Sequence, residues 1–178
     1  MVKQILMQER YRFTWKDLGD IDAGRPHLGA MLPVAVYRLM QYTMKEALEA
    51  EFGPEKTGQI FVEAGRRAGQ EFANNVLDCR LKPDAFLALL QLKLKELAVG
   101  IMRLERVDLK NMELFLNVAE DLDCSGLPCT NEVVCQYDEG FIAGIFEAYT
   151  GRPYVVKEVD CWASGDRVCR FQVRKAES

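Results

Sequence analysis

Hydrophobic and polar positions change their period several times along the chain, and each change marks a predicted element. Aromatic and polar residues alternate from Tyr11 to Lys16, which is typical of a half-buried strand and predicts one over 10–16. The segment 18–33 carries three glycines and two prolines without a sustained period, which predicts a loop. A loop of this length is often a lid or a binding segment, so we expect a lid or a dimer contact here.

Three helices are predicted next, because apolar residues recur at helical spacing. The first covers about 33–52, the second begins at Pro54 and ends near 78, and the third begins at Pro83 and ends at Gly100. Within the second helix, Gly65 and Gly69 lie four residues apart. Since glycine has no side chain, this spacing predicts that another element approaches the helix closely.

The C-terminal half combines strands, short turns and one further helix. Strand-like runs cover 101–107 and 112–119 around a hairpin loop at 108–111, and a helix that follows Cys135 stops at Gly151. Two last strands, 154–162 and 167–173, flank a turn at 164–166. Consecutive strands joined by short turns favour an antiparallel sheet with helices packed on it, which is an α+β fold.

Composition excludes several classes of function. A chain of 178 residues with 49% hydrophobic content predicts one domain over 1–178. A net charge of -4 without a long basic run argues against a direct nucleic-acid partner. The N-terminus lacks the apolar core of a signal peptide, and no apolar stretch reaches the roughly 20 residues that span a bilayer. We therefore expect a cytoplasmic protein without a membrane span.

The cysteines suggest a metal site. A turn at 164–166 sets Cys161 opposite Cys169, and opposed side chains with Cβ atoms about 5 Å apart can share one zinc ion. Cys135 would add a ligand from a different element. Glu158 would complete a tetrahedral shell if a bulge near 159 or 160 turned it to the face of Cys161. Such a closed shell leaves no position for water, so the zinc would be structural.

Two alternatives to this zinc site follow from the same residues. Cytoplasmic thiols are often small buried core residues without a metal. Cys124 and Cys129, separated by four residues, are a second candidate pair of ligands or redox partners.

Three segments resemble the 4-vinyl-reductase domain family, a hydrocarbon-binding family that includes sensor domains of aromatic-responsive bacterial activators. They are CQYDEGFIAG at 135–144, TGRP at 150–153 and EVDCWASGDRVCRF at 158–171. The region 17–72 also looks like the N-terminal half of the family. The resemblance implies an α+β fold like that of TRAPP trafficking subunits, a zinc-containing subregion at 133–174, and a homodimer with 1–32 in contact. It also implies one zinc ligand set: Cys135, Glu158, Cys161 and Cys169.

The ligand pocket that the resemblance implies differs from that of phenol-sensing relatives. Asn117 stands near their tryptophan position, and Lys93 or Leu94 stands near their histidine position. Ile145 and Val156 replace two of their tyrosines. We therefore expect an aliphatic pocket for a hydrocarbon, a lipid-like molecule or a tetrapyrrole, lined by Phe115, Asn117, Phe141, Ile145 and Val156. The alternative is that these residues belong to an ordinary core.

Sensing of a hydrophobic small molecule is therefore the expected function. The 178 residues include no ATPase or DNA-binding module, so a signalling or regulatory partner protein is expected. The alternatives are a component of a tetrapyrrole vinyl reductase and a ligand-free scaffold subunit. The sequence contains no glycine-rich dinucleotide fingerprint, no nucleophile with a paired base and no evident open metal site, so an enzyme is not favoured.

Overall fold

The computed structural model describes residues 11–108 and 113–176. These residues fall into two compact units, one that ends at Ala30 and one that begins at Met31. No helix among the described residues is both long enough and apolar enough to cross a membrane. A single domain over 1–178 stays a prediction.

The N-terminal unit contains a 3-10 helix over Trp15–Leu18 and a single helical turn, α1, over Ile21–Gly24. The predicted strand over 10–16 is therefore wrong for the described residues 11–16, while residue 10 lies outside them. The Asp17 carboxylate accepts hydrogen bonds from the backbone N–H and the hydroxyl of Thr14, at 2.7 and 3.1 Å. Such local bonds favour a turn over an extended strand, so they outweigh the alternating pattern here.

Four longer helices in the second unit follow the predicted positions closely. They are α2 (Val34–Phe52), α3 (Pro54–Val76), α4 (Pro83–Glu96) and α5 (Gln136–Thr150). Pro54 and Pro83 occupy first helical positions, where the missing N–H has no cost and the fixed φ suits a helix. Gly151 ends α5 with a φ of 67°, a left-handed conformation that glycine adopts readily.

The strands form one antiparallel sheet. They are β1 (Ile101–Asp108), β2 (Glu113–Ala119), β3 (Tyr154–Asp160) and β4 (Cys169–Lys175), in the spatial order β1-β2-β4-β3. The predicted α+β fold is thus confirmed. Asp108 pairs with Glu113 at the end of the β1–β2 ladder, and residues 109–111 of the predicted hairpin loop lie outside the described part.

The core lies between the sheet and the helices α4 and α5. Its largest side chains with less than 2% exposure include Phe86, Ile145, Leu116, Phe171 and Val173, which come from α4, α5, β2 and β4. Helix α3 packs on α5, and α5 packs on β3. Helix α2 has no buried residue and contacts α3.

Helices α3 and α5 meet at glycines on both sides. A Cβ atom built on Gly65 would lie 2.0 Å from the Tyr137 carbonyl oxygen, and one on Gly140 would lie 1.9 Å from the Val62 oxygen. Gly69 and Gly144 repeat this contact one turn along each helix. The backbones therefore touch directly, which confirms the close approach predicted from the spacing of Gly65 and Gly69.

Candidate functional site

Four buried cysteines meet beside the N-terminus of α5 and the β3–β4 hairpin. The sulfur atoms of Cys124, Cys135, Cys161 and Cys169 all lie within 4.8 Å of one another. The Sγ of Cys135 is 3.8 Å from the Sγ of Cys161 and 3.8 Å from that of Cys169, while the sulfurs of Cys124 and Cys169 are 2.9 Å apart. All four residues are 0% exposed. This is a closed cluster of thiols drawn from separate segments.

The cluster has the dimensions of a tetrahedral thiolate site. Zinc to sulfur bonds of about 2.3 Å place the sulfurs of a regular tetrahedron about 3.8 Å apart. The two distances from Cys135 equal this value, and only the contact between Cys124 and Cys169 is shorter. Four thiolates are the soft ligands that zinc takes in structural sites. The residues present therefore fit such a metal ion.

The hairpin geometry explains how Glu158 and Cys161 come to the same side of β3. Glu158 pairs with Phe171, but Asp160 pairs with Arg170, so one extra residue lies in β3 between these pairs. This is the bulge predicted near 159 or 160, and the register confirms it. Both Glu158 and Cys161 are buried as a result.

Glu158 lies next to the thiol cluster but outside the group of four sulfurs. Its Oε2 accepts a hydrogen bond of 3.1 Å from the backbone N–H of Cys135, and its Oε1 is buried without a partner among the described residues. Burial, together with the nearby thiol of Cys161, raises the pKa of Glu158 to about 8. The structure thus assembles three of the predicted ligands and supplies Cys124 as the other sulfur. Ligation by Glu158 stays a prediction.

The thiols also interact strongly with one another. Contact with Cys124 is the largest cause that lowers the pKa of Cys161, and it is also the largest cause that raises the pKa of Cys135. In a closed cluster one thiolate is stabilised by S–H donors from its neighbours, and those donors keep their protons. A divalent cation would replace these protons and allow all four sulfurs to ionise.

The other two cysteines lie outside this cluster. Cys129 is exposed, and its Sγ is 3.8 Å from the side-chain oxygen of Asn131. Cys79 is partly buried, with its Sγ 3.7 Å from the carbonyl oxygen of Ala73. Of the alternative pair Cys124 and Cys129, only Cys124 joins the group of potential ligands among the described residues.

Cys124 is held in place by a turn that sequence reasoning missed. The Asp121 Oδ1 accepts hydrogen bonds from the backbone N–H groups of Asp123 and Cys124, at 2.8 and 3.2 Å. An aspartate that caps the backbone two and three residues ahead is a recognisable turn signal. In the sequence DLDCS at 121–125 this signal marks Cys124 as a residue with a fixed direction.

Helix α2 fastens the same segment from outside. The Arg38 guanidinium donates to the carbonyl oxygens of Leu122 and Ser125, at 2.7 and 2.9 Å. Tyr37 and Gln41 donate to the two carboxylate oxygens of Asp123, at 2.9 and 2.7 Å. These polar contacts connect α2 to the segment 121–125, which carries Cys124.

A small cavity lies in the core next to the cysteine cluster. Its volume is about 30 Å³, enough for one or two water molecules. Helix α4, strands β1 and β2, and helix α5 supply most of its apolar wall, which includes Leu90, Leu94, Met102, Val118, Phe141 and Ile145. Two of the predicted pocket residues, Phe141 and Ile145, therefore line one cavity.

The other predicted pocket residues lie elsewhere. Leu116 and Val118 are buried on the core side of β2, so Phe115 and Asn117 belong to the opposite face of that strand. The Asn117 side-chain amide donates to Glu105 there, at 2.7 Å. Val156 is buried on β3, and it is not among the residues that line the cavity.

Two acidic residues form the polar end of the core cavity. Asp121 and Asp138 both line it, and the Oδ2 of Asp138 is buried without a partner among the described residues. Burial raises the pKa of Asp121 to about 7, helped by the nearby charge of Asp123, and burial also raises the pKa of Asp138. The sequence pattern did not predict this acidic end.

Comparisons with known proteins agree with the family that the sequence motifs indicated. Residues 114–175 match the model of the 4-vinyl-reductase domain, and the predicted resemblance to that family is thereby confirmed. An uncharacterised protein of Methanocaldococcus jannaschii is 25% identical over 162 residues, which cover 89% of this chain and 87% of that protein. The residues that match the domain model include the segments that supply Cys135, Cys161 and Cys169 to the cluster.

Solved structures share the fold at low sequence identity. A vinyl-4-reductase family protein from Methanocaldococcus jannaschii has a TM-score of 0.64 and 15% identity, over 96% of this chain and 99% of its own. The phenol-responsive sensory domain of the transcription activator PoxR, with phenol, has a TM-score of 0.62 and 15% identity, over 83% and 76%. A trafficking protein particle complex subunit 3 from Naegleria fowleri, covalently bound to palmitic acid, has a TM-score of 0.59 and 12% identity, over 80% and 97%. The predicted TRAPP-like fold is confirmed.

Proposed function

We propose that the chain is a sensory domain that binds a hydrophobic small molecule and is braced by a structural metal ion. The observation that supports this function best is the apolar cavity between α4, the sheet and α5, directly beside the cysteine cluster. The same fold occurs in a phenol-responsive sensory domain. A homodimer, a cytoplasmic location and a signalling partner protein belong to the same proposal.

The bound metal would be zinc, held by Cys124, Cys135, Cys161 and Cys169. Four protein ligands leave no position for water, so the ion would brace the fold and take no part in a reaction. It would join the start of α5, the β3–β4 hairpin and the segment 121–125. An enzymatic role gains no support from such a site.

Cys124 and Glu158 compete for the fourth ligand position, and paired variants distinguish them. We expect Cys124→Ser to lower zinc affinity at least about ten-fold, because it removes one of the four ligands. Glu158→Gln keeps the shape of the side chain and is expected to leave one zinc per chain. Competition with a chromophoric chelator measures both affinities. A Glu158→Gln protein without zinc, beside a Cys124→Ser protein that retains it, would reverse the assignment.

The ligand would have to open the core cavity. A volume of about 30 Å³ is far too small for a hydrocarbon, so side chains such as Met102 must move when a ligand enters. Methionine is suited to this because its unbranched side chain repacks at little cost. The apolar wall suits a hydrocarbon, a lipid-like molecule or a tetrapyrrole, and Asp121 and Asp138 add polar groups at one end.

Filling the cavity is expected to abolish ligand binding. Val99 lines the cavity and is only partly buried, so Val99→Phe adds volume there without a large cost to folding. The control is Val155→Phe on β3, where the valine is 40% exposed. Native mass spectrometry should detect a retained hydrophobic molecule in the wild type and the control, and none in Val99→Phe. Wild-type protein that stays empty with alkanes, fatty acids and porphyrins would contradict the sensory function.

A ligand-free scaffold subunit is the second candidate function. The small volume of the core cavity and the fold shared with a trafficking complex subunit favour it. The same mass spectrometry experiment separates the two, since a scaffold needs no ligand. A chain that stays empty but retains its zinc would support the scaffold.

A further inference from the structure

We propose that the groove between α2 and α3 is a second binding site, which takes a small neutral molecule with an apolar body and one hydroxyl group. This groove is separate from the core cavity. It is lined by Tyr37, Met40, Gln41, Met44, Leu48, Ile60, Phe61, Ala64 and Tyr137. The inference is independent of the proposed function, because no residue lines both cavities.

The size and walls of the groove suit a single-ring molecule. Its volume is about 170 Å³, close to the roughly 150 Å³ of apolar cavities that bind benzene. Met40 and Met44 are 58% and 51% exposed at its rim. Because methionine side chains adapt their shape, they can close over a ligand that enters from solvent.

Gln41 gives the groove a hydrogen-bond acceptor. Its Nε2 donates to the Asp123 Oδ2 at 2.7 Å, and since a carboxylate accepts hydrogen bonds, this contact fixes which end of the amide is nitrogen. The Oε1 is consequently the free end, and it is buried without a partner among the described residues. A buried acceptor without a donor is costly, so a ligand that supplies an O–H group gains affinity.

A hydroxyl group matches the groove better than an acid does. An alcohol can donate to the Gln41 oxygen and accept from the hydroxyl of Tyr137, which also lines the groove. A carboxylate could only accept, and it would lie near the buried Asp123 that Gln41 holds. The same Gln41 side chain connects the groove to the segment of Cys124.

Methionine methyl groups report on the two cavities separately, because Met40 and Met44 line the groove and Met102 lines the core cavity. We expect benzyl alcohol, titrated into full-length protein with ¹³C-methyl methionine, to shift the NMR signals of Met40 and Met44. Ala64 is exposed and lines the groove, so Ala64→Met fills it, and at least a five-fold loss of affinity is expected. Ala47→Met, on the exposed surface of α2 and outside the groove lining, is the matched control and should bind as the wild type does.

The hydroxyl preference is tested with toluene, which has the same ring without the hydroxyl. We expect Gln41→Leu to lower the ratio of benzyl alcohol affinity to toluene affinity about five-fold, since one hydrogen bond is lost. Any loosening of α2 in this variant weakens both probes equally and leaves the ratio unchanged. An unchanged ratio would therefore overturn the hydroxyl assignment.

Other outcomes overturn the site itself. If only Met102 shifts, benzyl alcohol binds in the core cavity, which supports the proposed function and rejects the groove. If Met40 and Met44 stay unchanged because a second copy of the chain covers the groove, sedimentation will show a dimer that Ala64→Met weakens. Shifts that persist equally in Ala64→Met would place the probe elsewhere on the surface.

Discussion

Gly65→Ala is expected to destabilise the protein by about 3 kcal/mol or more, which is a large part of the 5–15 kcal/mol that usually maintains a fold. The new Cβ would lie 2.0 Å from the backbone oxygen of Tyr137 and 2.9 Å from the nitrogen of Phe141. Both atoms belong to the backbone of α5, so no side-chain rotation relieves the clash. The helices would have to separate along their whole contact.

Gly58→Ala on the same helix is the matched control. A Cβ there would meet only the Cγ of Gln136, at 3.8 Å, which is an ordinary contact. Alanine favours a helix over glycine by up to about 1 kcal/mol, so this variant should be as stable as the wild type or more so. Urea unfolding followed by circular dichroism compares the two. Equal stability of Gly65→Ala and Gly58→Ala would show that the helices are not in backbone contact.

Cys169→Ser is expected to remove the bound zinc and to lower the melting temperature by about 10 °C or more. For a domain of this length, 1 kcal/mol corresponds to about 2–4 °C, and the metal ties together three separate segments. Cys169 lies at the start of β4 and its sulfur is close to those of Cys124 and Cys135. Elemental analysis and calorimetry of reduced protein, prepared without chelators, measure both effects.

Cys129→Ser provides the control for this experiment. The Cys129 side chain is exposed and outside the cluster, so its replacement should keep one zinc per chain and the wild-type melting temperature. Wild-type protein that contains no metal after such a preparation would disprove the site. A loss of zinc in Cys129→Ser equal to that in Cys169→Ser would also contradict it, because the cluster would then include the wrong cysteine.

Elements with strong local signals were predictable from the sequence. Pro54 and Pro83 begin helices and Gly151 ends one, because each residue restricts or permits a particular backbone conformation. The spacing of Gly65 and Gly69 indicated a close contact for the same local reason. The turn at 164–166 predicted that Cys161 and Cys169 would be neighbours, and the bulge in β3 was inferred from the position of Glu158.

Other features could not be read from local patterns. Tyr11 to Lys16 alternates as a strand would, yet the Thr14 and Asp17 side chains form a local turn and the described sheet does not include this segment. Strand β2 has apolar residues on both faces, so its sequence does not reveal that Phe115 faces away from the core while Leu116 is fully buried. The packing of neighbouring elements made that choice.

The sequence by itself determined the order of elements, the family resemblance and three cysteines of the cluster, because turns, helix ends and hairpin register depend on residues near one another in the chain. Only the tertiary structure decided that Cys124 joins them. Its position depends on hydrogen bonds from Arg38 and Gln41, which lie more than 80 residues away along the chain. The two cavities likewise form where distant helices and strands meet, so no local pattern of residues specifies them.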